Sequence, residues 1–206
     1  MNIYKKYFPN LTNEQLDKYL KLEELYKEWN LKINVISRKD IENITINHIL
    51  HSLSIAKIMN FRNGTTIGDV GTGGGLPGLP LAIMFPEVKF FLIDSAQKKV
   101  KVCSEIATAL NLKNVECIQG RSNELKMKFD FVTGRGVTSL PVFAASVISL
   151  ISNQDKNSLP NGIIYLKGGN FEQELVELKR KFEIYNISAY FKEEFFQTKK
   201  IIYLPV

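Results

Sequence analysis

The sequence predicts an α/β fold: a doubly wound, mostly parallel sheet, preceded by a helical segment and closed by an antiparallel strand pair. Three observations predict it. From residue 65 onward, short apolar runs alternate with segments of helical periodicity, the pattern of parallel strands joined by crossover helices. The first apolar run leads directly into a glycine-rich loop, as ligand-binding sheets of this kind do. The last two runs, I-S-A-Y-F-K and K-I-I-Y-L-P-V, follow each other with no helical pattern between them, which implies a hairpin at a sheet edge.

Residues 1–60 read as a helical cap and residues 61–206 as the sheet domain. In the cap, Thr12 with Gln15 fits a capping box. Leu16, Tyr19, Leu20, Tyr26 and Trp29 recur at helical spacing and share one face. A loop is expected from Asn30 to Lys39, then a helix from near Asp40 with Ile41, Ile44, His48, Ile49, Leu53 and Ala56 along its inner face. The N-R-N-G turn ending at Gly64 separates cap from sheet. T-T-I-G-D-V-G reads as the first strand, and Pro77 suits the first position of the helix behind it. V-K-F-F-L-I-D is a buried strand, and Ser95 caps a helix to about Leu110. N-V-E-C-I-Q and F-D-F-V-T follow as strands, then a helix from Leu140 to Ile151, the strand G-I-I-Y-L-K and a helix from Phe171 to Phe182.

Composition narrows the function classes. The chain has 206 residues, 45% apolar and 23% charged, which suits a globular protein. No run of apolar residues is long enough to span a bilayer, and the N-terminus lacks the features of a signal peptide. Cys103 and Cys117 form no C-x-x-C pair, which argues against a zinc site or disulfide scaffold and for a reducing cytosol. The net charge of +6 makes nucleic acid a natural partner. That signal is diluted, because only five of the 27 basic residues are arginine.

The informative segment is Asp69-Val70-Gly71-Thr72-Gly73-Gly74-Gly75-Leu76-Pro77-Gly78. Read from Gly73 it satisfies G-x-G-x-x-G, the dinucleotide fingerprint. Read from Asp69 it satisfies D-x-G-x-G-x-G, the loop of S-adenosylmethionine-dependent methyltransferases. The dinucleotide frame needs a glycine directly after the strand, yet counting from Gly71 its third glycine position holds Leu76. A carboxylate just inside the strand repels pyrophosphate and suits the cationic groups of S-adenosylmethionine. Asp69, the loop backbone at Gly71 and Gly73, and Asp94 at the end of the second strand are thus candidate cofactor residues. Asp94 suits ribose hydroxyls with either cofactor; the alternative is that Asp94-Ser95 merely caps a helix.

No H-E-x-x-H, P-loop lysine or G-x-S-x-G occurs, and His48 and His51 are the only histidines, so no metal site is expected. His48, on an apolar face, reads as a hydrogen-bonded structural histidine. The fourth strand leads into G-R-G-V-T rather than the N-P-P-Y-like element of exocyclic-amine methylation, and neither cysteine follows a proline. An acceptor with its own lone pair, such as guanine N7, needs no deprotonation, and positioning alone drives transfer to it. Arg135, between Gly134 and Gly136 at the end of the fourth strand, is suited to contact cofactor, base or phosphate; the alternative is an ion pair with Asp130. Lys167, Lys98, Lys99 and Arg38 with Lys39 are candidates for a basic RNA-binding rim, although each alone also reads as a solvated charge.

Together these residues resemble the bacterial small-subunit ribosomal RNA methyltransferase G family, also called glucose-inhibited division protein B. The resemblance is carried by I-G-D-V-G-T-G-G-G-L-P-G-L-P-L-A-I through L-I-D-S (67–95), W-N-L-K-I-N-V-I-S (29–37), H-I-L-H-S (48–52), G-R-G-V-T-S-L (134–140) and Y-L-K-G-G (165–169). It implies a class I, Rossmann-like methyltransferase fold with an N-terminal helical cap. It also implies methylation of guanine N7 in 16S rRNA near the decoding region, with S-adenosylmethionine as methyl donor and 16S rRNA or the small subunit as partner. A cytoplasmic monomer is expected. By position, Gly71 and Leu76 match its cofactor-loop contacts, and Ser122 and Asn123 the pair that meets the adenine. Arg135 matches its cofactor- or substrate-site arginine, and Asn34 the asparagine of W-N-x-x-x-N that faces the acceptor. The chain departs from the family's R-H-x-x-D-S at Asn47 and His51, and from S-R-A at Gly134-Arg135-Gly136. Without the resemblance, a small-molecule methyltransferase and a nicotinamide-binding module remain as alternatives.

Overall fold

The computed structural model describes residues 2–37 and 40–206. Asn2 caps a short helix, α1 (Ile3–Tyr7). Helix α2 (Asn13–Lys32) opens on the expected capping box: Thr12 Oγ1 accepts from the Gln15 amide at 3.1 Å and Gln15 Oε1 accepts from the Thr12 amide at 3.0 Å. The helix buries Tyr19, Leu22 and Tyr26, which follow i, i+3, i+7. Leu20, expected on this face, points outward instead, and the helix runs two residues past Asn30. Past Asp40 the expected single helix is divided into a 3₁₀ turn (Ile41–Asn43), a π-helical stretch (Ile44–Leu50), α3 (His51–Leu53) and α4 (Ile55–Ile58). This irregular winding accompanies a side-chain bond from Asn47 back to Asp40.

The sheet domain runs β1 (Thr66–Val70), α5 (Gly78–Met84), β2 (Lys89–Asp94), α6 (Gln97–Ala109), β3 (Val115–Gln119), β4 (Phe131–Arg135), α7 (Leu140–Val147), β5 (Gly162–Gly168), α8 (Glu172–Leu178), β6 (Glu183–Asn186) and β7 (Lys199–Pro205). The strand order is β3-β2-β1-β4-β5-β7-β6, parallel except for β7, which is antiparallel to both neighbours. Residues alternate between two cores: Ile164, Leu166, Ile201 and Tyr203 join α2, α5 and α6 on one face, while Ile163, Tyr165, Ile202 and Leu204 join α7 and α8 on the other. Burial on both faces explains why the strands read as continuous apolar runs. The order reverses between β1 and β4, so their carboxyl ends, the glycine loop and Arg135, flank the crevice where such sheets bind ligands.

Three local expectations are corrected. The edge strand is Glu183–Asn186, and I-S-A is a 3₁₀ turn, because Ile187, Phe191 and Phe196 are drawn completely into the core. Helix α8 stops at Leu178, where Lys179 adopts a left-handed conformation. Ser95 makes no capping bond; the Asp94 carboxylate takes the Ala96 amide at 2.9 Å.

Candidate active site

The glycine loop is shaped from within by its own aspartate. Asp69 is fully buried, and Oδ2 accepts from the Thr72 hydroxyl at 2.6 Å and the Gly78 amide at 2.9 Å, while Oδ1 accepts from the Thr133 hydroxyl at 3.2 Å. One carboxylate thus ties the end of β1 to the loop, to the start of α5 and to β4. Each carboxylate oxygen faces protein donors. Burial pushes its pKa up to about 6, against the pull of those hydrogen bonds and of Arg135. Gly78 is required by close approach, since a Cβ there lies 2.1 Å from Leu92 Cδ2 and 2.8 Å from Asp69 Oδ2. Gly71, Gly73 and Gly75 all have positive φ, which the loop's path demands. Asp94 Oδ2 accepts from the Gly73 amide at 2.9 Å, so the second acid holds the loop's outer turn. A carboxylate accepts about four hydrogen bonds, and Asp94 uses one at each oxygen here.

The cap reaches the same loop from the other side. The buried Tyr26 hydroxyl donates to the Gly74 carbonyl at 2.9 Å, and Tyr19 donates to the Pro80 carbonyl at 3.0 Å. Asn30 Oδ1 accepts from the amides of Val35 and Ile36, both at 2.9 Å, which folds the chain back so that Val35 abuts Gly74. Asn34, one residue earlier, is exposed beside this contact. Tyr26→Phe leaves a buried carbonyl without its donor, a loss of about 1–2 kcal/mol. It is expected to weaken S-adenosylhomocysteine binding by roughly three- to tenfold in calorimetry.

Arg135 ends β4 as expected but forms no pair with Asp130, which serves Thr66 and Lys156. Its guanidinium donates to His48 Nδ1 at 3.0 Å and lies 3.5 Å from the Asn47 carbonyl. His48 Nε2 in turn lies 2.6 Å from Asp40 Oδ2, and Asn47 Nδ2 donates to Asp40 Oδ1 at 2.5 Å. Burial, then the charge of Arg135, pushes the His48 pKa down to about 4, so the ring is neutral at physiological pH. His48 is hydrogen-bonded as expected, with an unforeseen partner.

The other candidates divide by location. Gly71, Gly73 and Leu76 lie in the loop, the two glycines half-buried and Leu76 buried. Ser122 and Asn123 form a 3₁₀ turn after β3, on the same rim as Asp94. Lys98 and Lys99 are exposed at the start of α6. Lys167 is paired with Glu174 at 2.7 Å. Arg38 lies outside the described residues. Among the described residues there is no group of three potential metal ligands, and no helix is long and apolar enough to cross a membrane.

The family model for rRNA small subunit methyltransferase G matches residues 12–202. The chain belongs to the rRNA small subunit methyltransferase G family. A member from Flavobacterium johnsoniae is 52% identical over 201 residues, covering 98% of this chain and 96% of the relative. Another, from Bacteroides thetaiotaomicron, is 52% identical over 206 residues and covers both chains completely. Among solved structures, an S-adenosylmethionine-dependent methyltransferase from Aquifex aeolicus shares the fold, with a TM-score of 0.55 at 16% identity over 75% of this chain and 89% of that one. The chain is thus an S-adenosylmethionine-dependent methyltransferase of the class I fold.

Tyr26, Asn30 and Asp40 were not singled out for the site from sequence. Asn30 carried a usable signal as the first asparagine of W-N-x-x-x-N, whereas Asp40 offered none, because its role depends on partners folded back upon it.

Proposed function

We propose that the protein methylates N7 of a guanine in 16S rRNA, presented as RNA or within the small subunit. S-adenosylmethionine supplies a methyl group activated by its sulfonium. The glycine loop at Gly71, Gly73 and Leu76 would hold it, with ribose hydroxyls on the remaining lone pairs of Asp94 and the adenine beside Ser122 and Asn123. Asp69 would act by holding that loop in shape. Arg135 and Asn34 would orient the guanine, and the exposed Lys98 and Lys99 would meet RNA phosphate.

One observation carries the choice of acceptor: the groups around the rim that are able to take a proton are already committed. Asp69 is buried and accepts three hydrogen bonds, His48 is bonded at both ring nitrogens, and the lone pairs that Asp94 retains would take the ribose hydroxyls. Such a site favours an acceptor that attacks with its own lone pair, as guanine N7 does. In this reading the protein works as a monomer in the cytoplasm, with no metal and no membrane partner.

The test is incubation with labelled S-adenosylmethionine and small subunits from cells lacking the enzyme, followed by digestion of the RNA. The expected product is 7-methylguanosine at one site. Label on another nucleoside overturns the acceptor; label on free metabolites, insensitive to RNA, moves the reading to a small-molecule methyltransferase.

A further inference from the structure

The guanidinium of Arg135 is held by a chain of hydrogen bonds that leads away from the rim and into the cap. Arginine carries only donors, so the nitrogen facing it, His48 Nδ1 at 3.0 Å, presents a lone pair. A neutral imidazole with its lone pair on Nδ1 carries its proton on Nε2, and Nε2 faces Asp40 Oδ2 at 2.6 Å. Asp40 is steadied in turn by Asn47 Nδ2 on its other oxygen. The carboxylate thus selects the tautomer, and the tautomer supplies the acceptor. The low pKa of His48 agrees with this assignment.

We propose that His48 is a positioning residue for methyl transfer: it fixes the Arg135 guanidinium at the end of β4 through the Nε2–H tautomer that Asp40 selects. The inference rests on the reading of Arg135 as the side chain that orients the guanine. A fork held at 3.0 Å by His48 on one nitrogen, with the Asn47 carbonyl at 3.5 Å from the other, keeps a defined plane, which a flexible cation does not. The chain also links a residue of the irregular cap segment to the strand that carries the site, across 87 positions of sequence.

Two amide variants separate positioning from space filling. Asparagine places its Oδ1 where Nδ1 stood and keeps an acceptor for Arg135. Glutamine places its amide where Nε2 stood and serves Asp40 instead. His48→Asn is expected to retain kcat on small subunits within about threefold, and His48→Gln to lose roughly tenfold or more, with S-adenosylhomocysteine binding unchanged in both. Nitrogen exchange spectra of the Arg135 guanidinium give a readout independent of turnover: slow rotation in wild type and His48→Asn, fast rotation in His48→Gln. Asp40→Ala, at a half-exposed position, frees the ring to place a donor against Arg135, with a thermal melt to check that the variant is folded. It is expected to lower kcat by about tenfold.

Equal losses in the two amide variants with the Arg135 signal unchanged mean that His48 only fills space, and overturn the proposal. So does a wild-type rate in both His48→Gln and Asp40→Ala. If wild-type enzyme labels no RNA, the rRNA reading fails separately, and the guanidinium spectra still decide whether His48 holds Arg135.

Discussion

Arg135→Ala is expected to lower kcat by about a hundredfold or more while S-adenosylhomocysteine binds within a few-fold of wild type. The side chain is half-buried at the carboxyl end of β4, beside the glycine loop, and forms no ion pair with a carboxylate among the described residues. Its hydrogen bonds run instead to His48 and the Asn47 carbonyl, both uncharged acceptors. Burial lowers its pKa, countered by Tyr26, Asp69 and Asp40, but an arginine remains charged at any working pH. Such a cation attracts an electron-rich base without being neutralised beforehand. Arg135→Lys is expected to recover little of the rate, because an ammonium lacks the planar fork. Circular dichroism and thermal melts check that the fold is intact; full activity in Arg135→Ala sinks the role.

The second large effect concerns Asp69. Asp69→Ala strands the Gly78 amide and two hydroxyls in a dry interior, a loss of about 3 kcal/mol. For a chain of this size that lowers Tm by roughly 10 °C, and S-adenosylhomocysteine binding is expected to fall by about tenfold or more as the loop loosens. Asp69→Asn is the informative partner. An amide oxygen at the Oδ2 position still accepts from Thr72 and Gly78, and an amide nitrogen at the Oδ1 position donates to the Thr133 hydroxyl. The pKa of Asp69 is raised, so the sign of the linkage is that its stabilisation is complete below the unfolded value near 4 and is lost as pH rises through about 6. A neutral asparagine escapes that loss. Asp69→Asn is therefore expected to melt no lower than wild type at pH 7 and to bind S-adenosylhomocysteine within about threefold. A folded Asp69→Asn that binds none restores a direct electrostatic role for the carboxylate.

What was legible in the sequence was local. The glycine loop declared itself through spacing over ten residues, Arg135 through its flanking glycines and Thr12 through Gln15 three positions on, because each depends on neighbours in the chain. The alternation of strand and helix gave the order of elements, and the closing antiparallel pair followed from the missing crossover. The edge strand was misplaced because Ile187, Phe191 and Phe196 look like strand residues yet are buried from 3₁₀ turns and their connections. The charge on Asp69 suggested a ligand for the cofactor, and its bond to Thr133 on β4, 64 positions away, left no local signal. Lys167 looked free until Glu174 of α8 came beside it. Partners separated by a strand or a helix leave no periodic trace.

The Tyr26 bond to Gly74 has a consequence for how the chain is partitioned. The loop that would cradle the cofactor is walled on one side by β1, β2 and α6, through Asp94 and Cys103, and on the other by α2 and Val35. Cap and sheet therefore meet at the glycine loop itself. A chimera that joins this sheet to the first sixty residues of a distant homologue inherits a mismatched wall in its binding crevice. A cut at the Gly64 turn therefore does not separate independent modules, because Tyr26 and Val35 of the first segment hold the loop of the second.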